Sequence, residues 1–148
     1  MWNLRPLDRI FHWKDFREGL RFLTLEECLV EVSHLWSFAP FVNYYLDPES
    51  CAKWPDPWTL LHENYYCDLA KTLGMFYTIA LSEHGKNKIV LSILEHKKKK
   101  EQINIVIVND THILNYDFNS VVNSKKVSKN YHCSFSYTVS DLNIQSYQ

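Results

Sequence analysis

The sequence predicts one α+β domain, with N-terminal helices packed on a C-terminal antiparallel sheet of about four to five strands. Two observations carry this. As far as Gly74 the apolar residues recur every three or four positions, the period of a helix with one buried face; beyond it they run or alternate in β-branched stretches joined by short polar turns. With 148 residues, 46% of them hydrophobic and 15% aromatic, and only three Gly and five Pro, the chain has the size and composition of a single domain that buries a continuous core.

Residues 2–22 are rich in aromatics and Arg, and Leu7, Ile10, Phe11 and Lys14 fall at helical spacing, which predicts a short, imperfect first helix. Thr24-Leu25-Glu26-Glu27 reads as a capping box, in which the Thr hydroxyl and the Glu carboxylate satisfy each other's backbone amides. The helix it starts carries one stripe through Leu25, Cys28, Leu29, Val32, Leu35 and Trp36, and Pro40 prevents its extension. Asp47-Pro48, Trp54-Pro55 and Asp56-Pro57 mark a rigid connector, because a proline disfavours helix in the residue before it. Asp56 then caps a helix predicted over 57–73, bent near Asn64 and ended by Gly74. Met75–Leu81, 89–94, 103–108, 112–118 and 131–138 read as strands, most of them joined by hairpin-length turns. The domain is expected to span 1–142, with 143–148 as a frayed tail.

No stretch approaches the roughly 18 apolar residues of a membrane span, and no leader is visible at the start. A reducing compartment is therefore expected, with Cys28, Cys51, Cys67 and Cys133 as free thiols. The net charge of −1 hides an asymmetry: residues 1–84 hold seven Lys/Arg against twelve Asp/Glu, and residues 85–129 hold nine against four.

Four constellations bear on function. A helix with a cysteine followed by antiparallel strands with His and Asp is the order of transglutaminase-like and papain-like enzymes, in which imidazole activates a thiolate near a helix end. Cys67 is the one sensible nucleophile, with His112 or His96 as base and Asp117 or Asp110 as orienting acid. Two points oppose it: a helix over 57–73 puts Cys67 in mid-helix, and His112 and Asp117 are an odd number of residues apart, so they leave opposite faces of a strand. Lys97, Lys98, Lys99 and Lys100, with Lys125, Lys126 and Lys129, form a basic run whose favoured reading is a solvated hairpin tip that keeps sheet edges apart; nucleic acid is the less favoured partner. Tyr44, Tyr45, Trp54, Trp58, Tyr65 and Tyr66 concentrate around the proline connector, as a second core layer or as an exposed docking surface. Scattered histidines and isolated glycines offer neither a metal site nor a phosphate loop, so no metal and no cofactor are expected.

The phrase from Trp54-Pro55-Asp56-Pro57-Trp58 through Asn64-Tyr65-Tyr66-Cys67-Asp68-Leu69 to Thr78, with Leu7–Arg17, Leu25-Glu26-Glu27, Val108-Asn109 and Ile113–Asp117, resembles a family of small proteins of large tailed bacteriophages, including those of marine cyanobacteria. The likeness covers most of residues 4–122. That family has no established activity, so the resemblance implies a viral setting, the host cytoplasm or the virion, and no reaction; the Asn- and Lys-rich second half fits an AT-rich viral genome. The preferred expectation is accordingly a non-enzymatic phage protein that acts by protein contact, as a virion component or host-interacting factor, anchored by Trp54, Trp58, Tyr65 and Tyr66. The alternative is a cysteine hydrolase or transamidase centred on Cys67, with His112 and Asp117. No membrane partner is expected, and the oligomeric state is left open.

Overall fold

Thr24 caps its helix as the sequence predicts: its hydroxyl accepts from the Glu27 amide at 3.2 Å while Glu27 accepts from the Thr24 amide at 3.0 Å. In the computed structural model, which describes residues 1–43 and 45–147, four helices precede five strands. The helices are α1 (Pro6–Gly19), α2 (Leu25–Ser37), α3 (Pro57–Glu63) and α4 (Asp68–Ala80). The strands are β1 (Ile89–His96), β2 (Gln102–Val108), β3 (His112–Leu114), β4 (Val121–Asn123) and β5 (Tyr131–Thr138). They form one antiparallel sheet in the order β4-β3-β2-β1-β5, so the first four make a meander and the last returns to the far edge beside β1. The α+β class and the helices-then-sheet order are as the sequence predicts.

Helix α4 is where structure and expectation part. The helix expected over 57–73 is two helices, because Asn64 takes a left-handed conformation (φ 58°, ψ 37°) that closes α3, its amide donating to the Leu60 carbonyl at 3.2 Å. Tyr65, Tyr66 and Cys67 leave the helical path, and α4 begins only at Asp68. It then passes through Gly74 and takes in most of Met75–Leu81, which reads as a strand. Of its thirteen residues, eleven are buried. A helix enclosed on every side shows no 3.6-residue stripe, so its apolar run cannot be told from a buried strand by period alone. Gly74 is no terminator: a Cβ there would collide with the ring of Trp36, so it is the residue that lets α2 approach α4.

The buried face of α1 also differs from expectation. Leu7 and Phe11 are exposed, while Arg9 and Trp13 are buried. Trp13 reaches Thr78 on α4 through its indole N–H, and the Arg9 guanidinium donates to the carbonyls of Leu61 at 2.8 Å and Leu4, satisfying the end of α3. The helix thus docks on its tryptophan and its hydrogen-bonding arginine.

One face of the sheet packs on α4 through Leu91, Ile93, Val106, Val108 and Leu114; Ile105, Ile113, Val122 and Leu94 form a smaller cluster with Tyr116 and Tyr131. β3 stops at Leu114, short of the expected 112–118, because Asn115 turns the chain with φ 66°. β4 lies inside the stretch expected to be loop; three residues are too few to show alternation. Past residue 142, where a frayed tail was expected, Ile144 is fully buried and Tyr147 packs edge-on to Tyr77. Among the described residues no helix is long and apolar enough to cross a membrane.

Candidate active site at the head of α4

Cys67 is the N-cap of α4. Its backbone is extended (φ −77°, ψ 177°), its carbonyl accepts the first bond of the helix from the Lys71 amide at 3.0 Å, and its side chain is half-buried. The preceding residue fixes it there. Tyr66 is fully buried, edge-on to Trp2 and Trp36 at 5.2 and 5.3 Å, and forms a parallel bridge with Phe41, the Val42 amide donating to the Tyr66 carbonyl at 3.2 Å. The sulfur therefore sits at the positive end of the α4 dipole, which stabilises negative charge on an attacking atom. The mid-helix objection to Cys67 falls once Asn64 has divided the helix.

A polar cluster ties this turn of α4 to the sheet. The Asp68 carboxylate accepts from Asn104 Nδ2 at 2.9 Å and Asn115 Nδ2 at 3.1 Å. Asn115 Nδ2 also lies 2.9 Å from both Thr72 Oγ1 and the Asn104 carbonyl, and Gln102 orients Asn104 by donating to its Oδ1 at 3.1 Å. Asn104 and Asn115 escaped sequence reasoning. The signal for Asn104 is a lone polar residue in Ile-Asn-Ile-Val-Ile-Val: with a period of two it shares the face of Val106 and Val108, which is the face against α4. Asn115 has no such signal, since it meets α4 only because β3 ends before it.

The residues proposed as partners of Cys67 go elsewhere. His112 pairs with Val108 in the sheet, four residues along β2 from Asn104 and so on the order of 13 Å away from it. Its ring faces Glu26 at 3.9 Å and the Thr111 hydroxyl at 3.0 Å. Asp117 pairs with Lys126 at 2.8 Å, and Asp110 with Lys88 at 2.9 Å. His96 Nδ1 accepts the amides of Lys98 and Lys99 at the β1–β2 tip. Among the described residues no hydrogen bond joins an imidazole to the Cys67 sulfur or His112 to Asp117.

The aromatic residues offered as one docking surface divide between core and surface. Trp54 is buried and donates to the Asp47 carbonyl at 2.8 Å, and Tyr66 is buried as described; Trp58 lies edge-on to Trp13 at the surface, and Tyr65 is exposed. Tyr44 lies outside the described residues. Lys97–Lys100 occupy the exposed β1–β2 tip, and Lys126 is held protonated by Asp117.

All four cysteines are free. Burial pushes the Cys28 thiol up to about 12 and also raises the phenols of Tyr66 and Tyr77. These groups are neutral when protonated, and the folded state holds their protons more tightly than the unfolded chain. Their stabilisation is complete below the unfolded-state values, about 8.5 for a thiol and about 10 for a phenol, and is lost as pH rises through the folded ones. Urea-unfolding midpoints should be level near pH 7 to 8 and fall steadily above about pH 9; a midpoint constant to about pH 11 would show that these groups titrate alike in both states.

The architecture is helices first, a cysteine capping the last of them, and that helix laid on an antiparallel sheet. Among solved structures the chain is similar to Legionella pneumophila LapG in its calcium-bound form, with a TM-score of 0.68 and 10% identity over 92% of this chain and 77% of that one. It is similar to LapG in two further structures, one of them EGTA-treated, with the same TM-score and 11% identity over 90% of this chain. No protein-family model and no curated protein matches the sequence. The shared fold overturns the expectation of a non-enzymatic phage contact protein anchored by its aromatics: the architecture is the one named with the cysteine-centred alternative, and two of the four anchors are core residues.

Proposed function

We propose that the chain carries a cysteine-centred acyl-transfer site, of the hydrolase or transamidase class, with Cys67 as nucleophile. The supporting observation is the position of Cys67 at the N-cap of α4 within a fold shared with LapG. In this reaction Sγ attacks a carbonyl carbon, an S–C bond forms, the bond to the leaving group breaks, and the leaving group departs with a proton. Water or an amine then cleaves the thioester and restores the thiol. Asp68, Asn104, Asn115 and Thr72 keep the first turn of α4 in register with the sheet while this happens. With no imidazole on the sulfur, the thiol proton passes to solvent. Calcium, bound in one of the LapG structures, is not part of the proposal, because among the described residues no group of three or more His, Cys, Asp or Glu side chains could hold a metal ion.

The test is acyl capture. With 4-nitrophenyl acetate the folded protein should release nitrophenolate in a burst and carry one acetyl group, mapped by peptide mass spectrometry to Cys67. Cys67→Ala should lose both. Acetyl groups spread over surface lysines, with no change in Cys67→Ala, would remove the proposal.

A further inference from the structure

The core face of α2 takes Cys28, Leu29, Val32 and Trp36, so its outward side should be polar throughout. Val30, His34 and Phe38, the residue that ends the helix, stand on that side instead, at successive i, i+4 steps and all exposed. Ring contacts join them to a fourth residue: His34 and Phe38 lie edge-on at 5.1 Å, and Phe38 meets Phe118 in the same way at 5.3 Å. The turn that carries Phe118 is fastened to α2, with the Asn119 amide donating to Ser37 Oγ at 3.0 Å and Ser33 Oγ donating to the Ser120 carbonyl at 3.4 Å. Val30 is 55% exposed, Phe38 53% and Phe118 69%, so apolar side chains are held open to water on a fixed backbone. Around Val30 the surface dips into a groove of about 300 Å³ lined by Leu23, Glu26, Glu27, Val30 and Glu31. Among the described residues no Lys or Arg pairs with these three carboxylates; the Glu26 ionic contact is with the His112 ring, and Glu27 is bonded to the Thr24 amide. An apolar floor beside uncompensated negative charge repels an acidic partner and suits one that carries cations around its apolar side chains. Val30 and Phe38 are two helical turns apart, on the order of 12 Å at 1.5 Å per residue, which is the spacing of side chains two turns apart on a second helix.

We infer that this face of α2, with Phe118, is a docking site for a cationic amphipathic helix of a partner protein. Two apolar side chains of that helix seat on Val30 and on the Phe38–Phe118 pair, while its lysines or arginines face Glu26, Glu27 and Glu31. Nothing in this depends on the acyl-transfer reading of Cys67.

The probe is a fluorescein-labelled synthetic helix of leucines and lysines, with its leucines on one face, titrated with the protein and followed by anisotropy. Binding should saturate, weaken as salt is added, and be absent when glutamates replace the lysines of the probe. Val30→Ser and Phe38→Ser should each weaken it about tenfold, the loss expected when a seated apolar anchor is removed. Glu31→Lys should also weaken it and flatten its salt dependence. Phe11→Ser and Asp15→Lys, which change exposed residues of α1, should leave it as it is. No binding by the wild type, or equal losses from the α1 and α2 variants, overturns the site. So does a protein that sediments as a dimer and becomes a monomer in Phe38→Ser, because a second copy then covers this face.

Discussion

Thr78→Val will destabilise the protein by about 2 to 5 kcal/mol, although the two side chains have nearly the same shape. The Thr78 hydroxyl is fully buried and is shared by two indoles: Trp13 Nε1 donates to it at 3.0 Å and Trp36 Nε1 at 2.8 Å, while the hydroxyl donates to the Gly74 carbonyl at 2.6 Å. Both tryptophans are completely enclosed, so removal of that oxygen leaves two donors in an interior with no water to replace it. Each orphaned donor costs roughly 1 to 3 kcal/mol, and the methyl gained returns less than the two together lose. Thr78→Ser, which keeps the oxygen and gives up a methyl, should cost only about 1 kcal/mol. Urea unfolding of the two variants reads the difference directly; a Val variant as stable as the Ser variant would mean that the indoles find other acceptors.

The second large effect is a sign reversal at Gly74. In mid-helix, Gly→Ala ordinarily stabilises by about 1 kcal/mol. Here the added Cβ would lie 2.5 Å from Trp36 Cε3 and closer still to Cζ3 and Cη2, inside van der Waals contact. The ring cannot retreat at low cost: it is fully buried, bonded to Thr78, and edge-on to Trp2 at 4.9 Å and to Tyr66 at 5.3 Å. Relief requires α2 and α4 to separate, so Gly74→Ala should destabilise by about 2 to 4 kcal/mol. Trp36→Phe shortens the ring system at the point of collision and should recover part of that loss in the double variant, a coupling that a double-mutant cycle measures. Because Tyr66 is packed on the same tryptophan and is followed directly by Cys67, the Gly74 variant should also acylate more slowly than its stability alone requires.

How far local pattern reached is seen best by comparing α2 with α4. α2 has a capping box, one apolar stripe and a wet face, all of them properties of neighbouring residues, and it was legible to its first residue. α4 has apolar residues almost all round, and it opens on Cys67, which makes no side-chain cap bond, so neither its period nor its start could be read. The same division runs through the site. Cys67 stood out as a nucleophile by residue type, whereas its setting depended on a left-handed Asn64, one residue whose conformation converts a mid-helix thiol into a helix cap.

By itself the sequence determined the α+β class, the capped α2, β1, β2 and β5, and the candidacy of Cys67, because each of these follows from spacing and chemistry along the chain. Tertiary structure alone decided that 75–80 is helix, that Gly74 admits a tryptophan, and that His112 faces Glu26 and Asp117 pairs with Lys126 while Asn104 and Asn115 meet the first turn of α4. Those outcomes depend on which surfaces enclose a segment and on where β3 stops, and enclosure is a property of residues far apart in the chain.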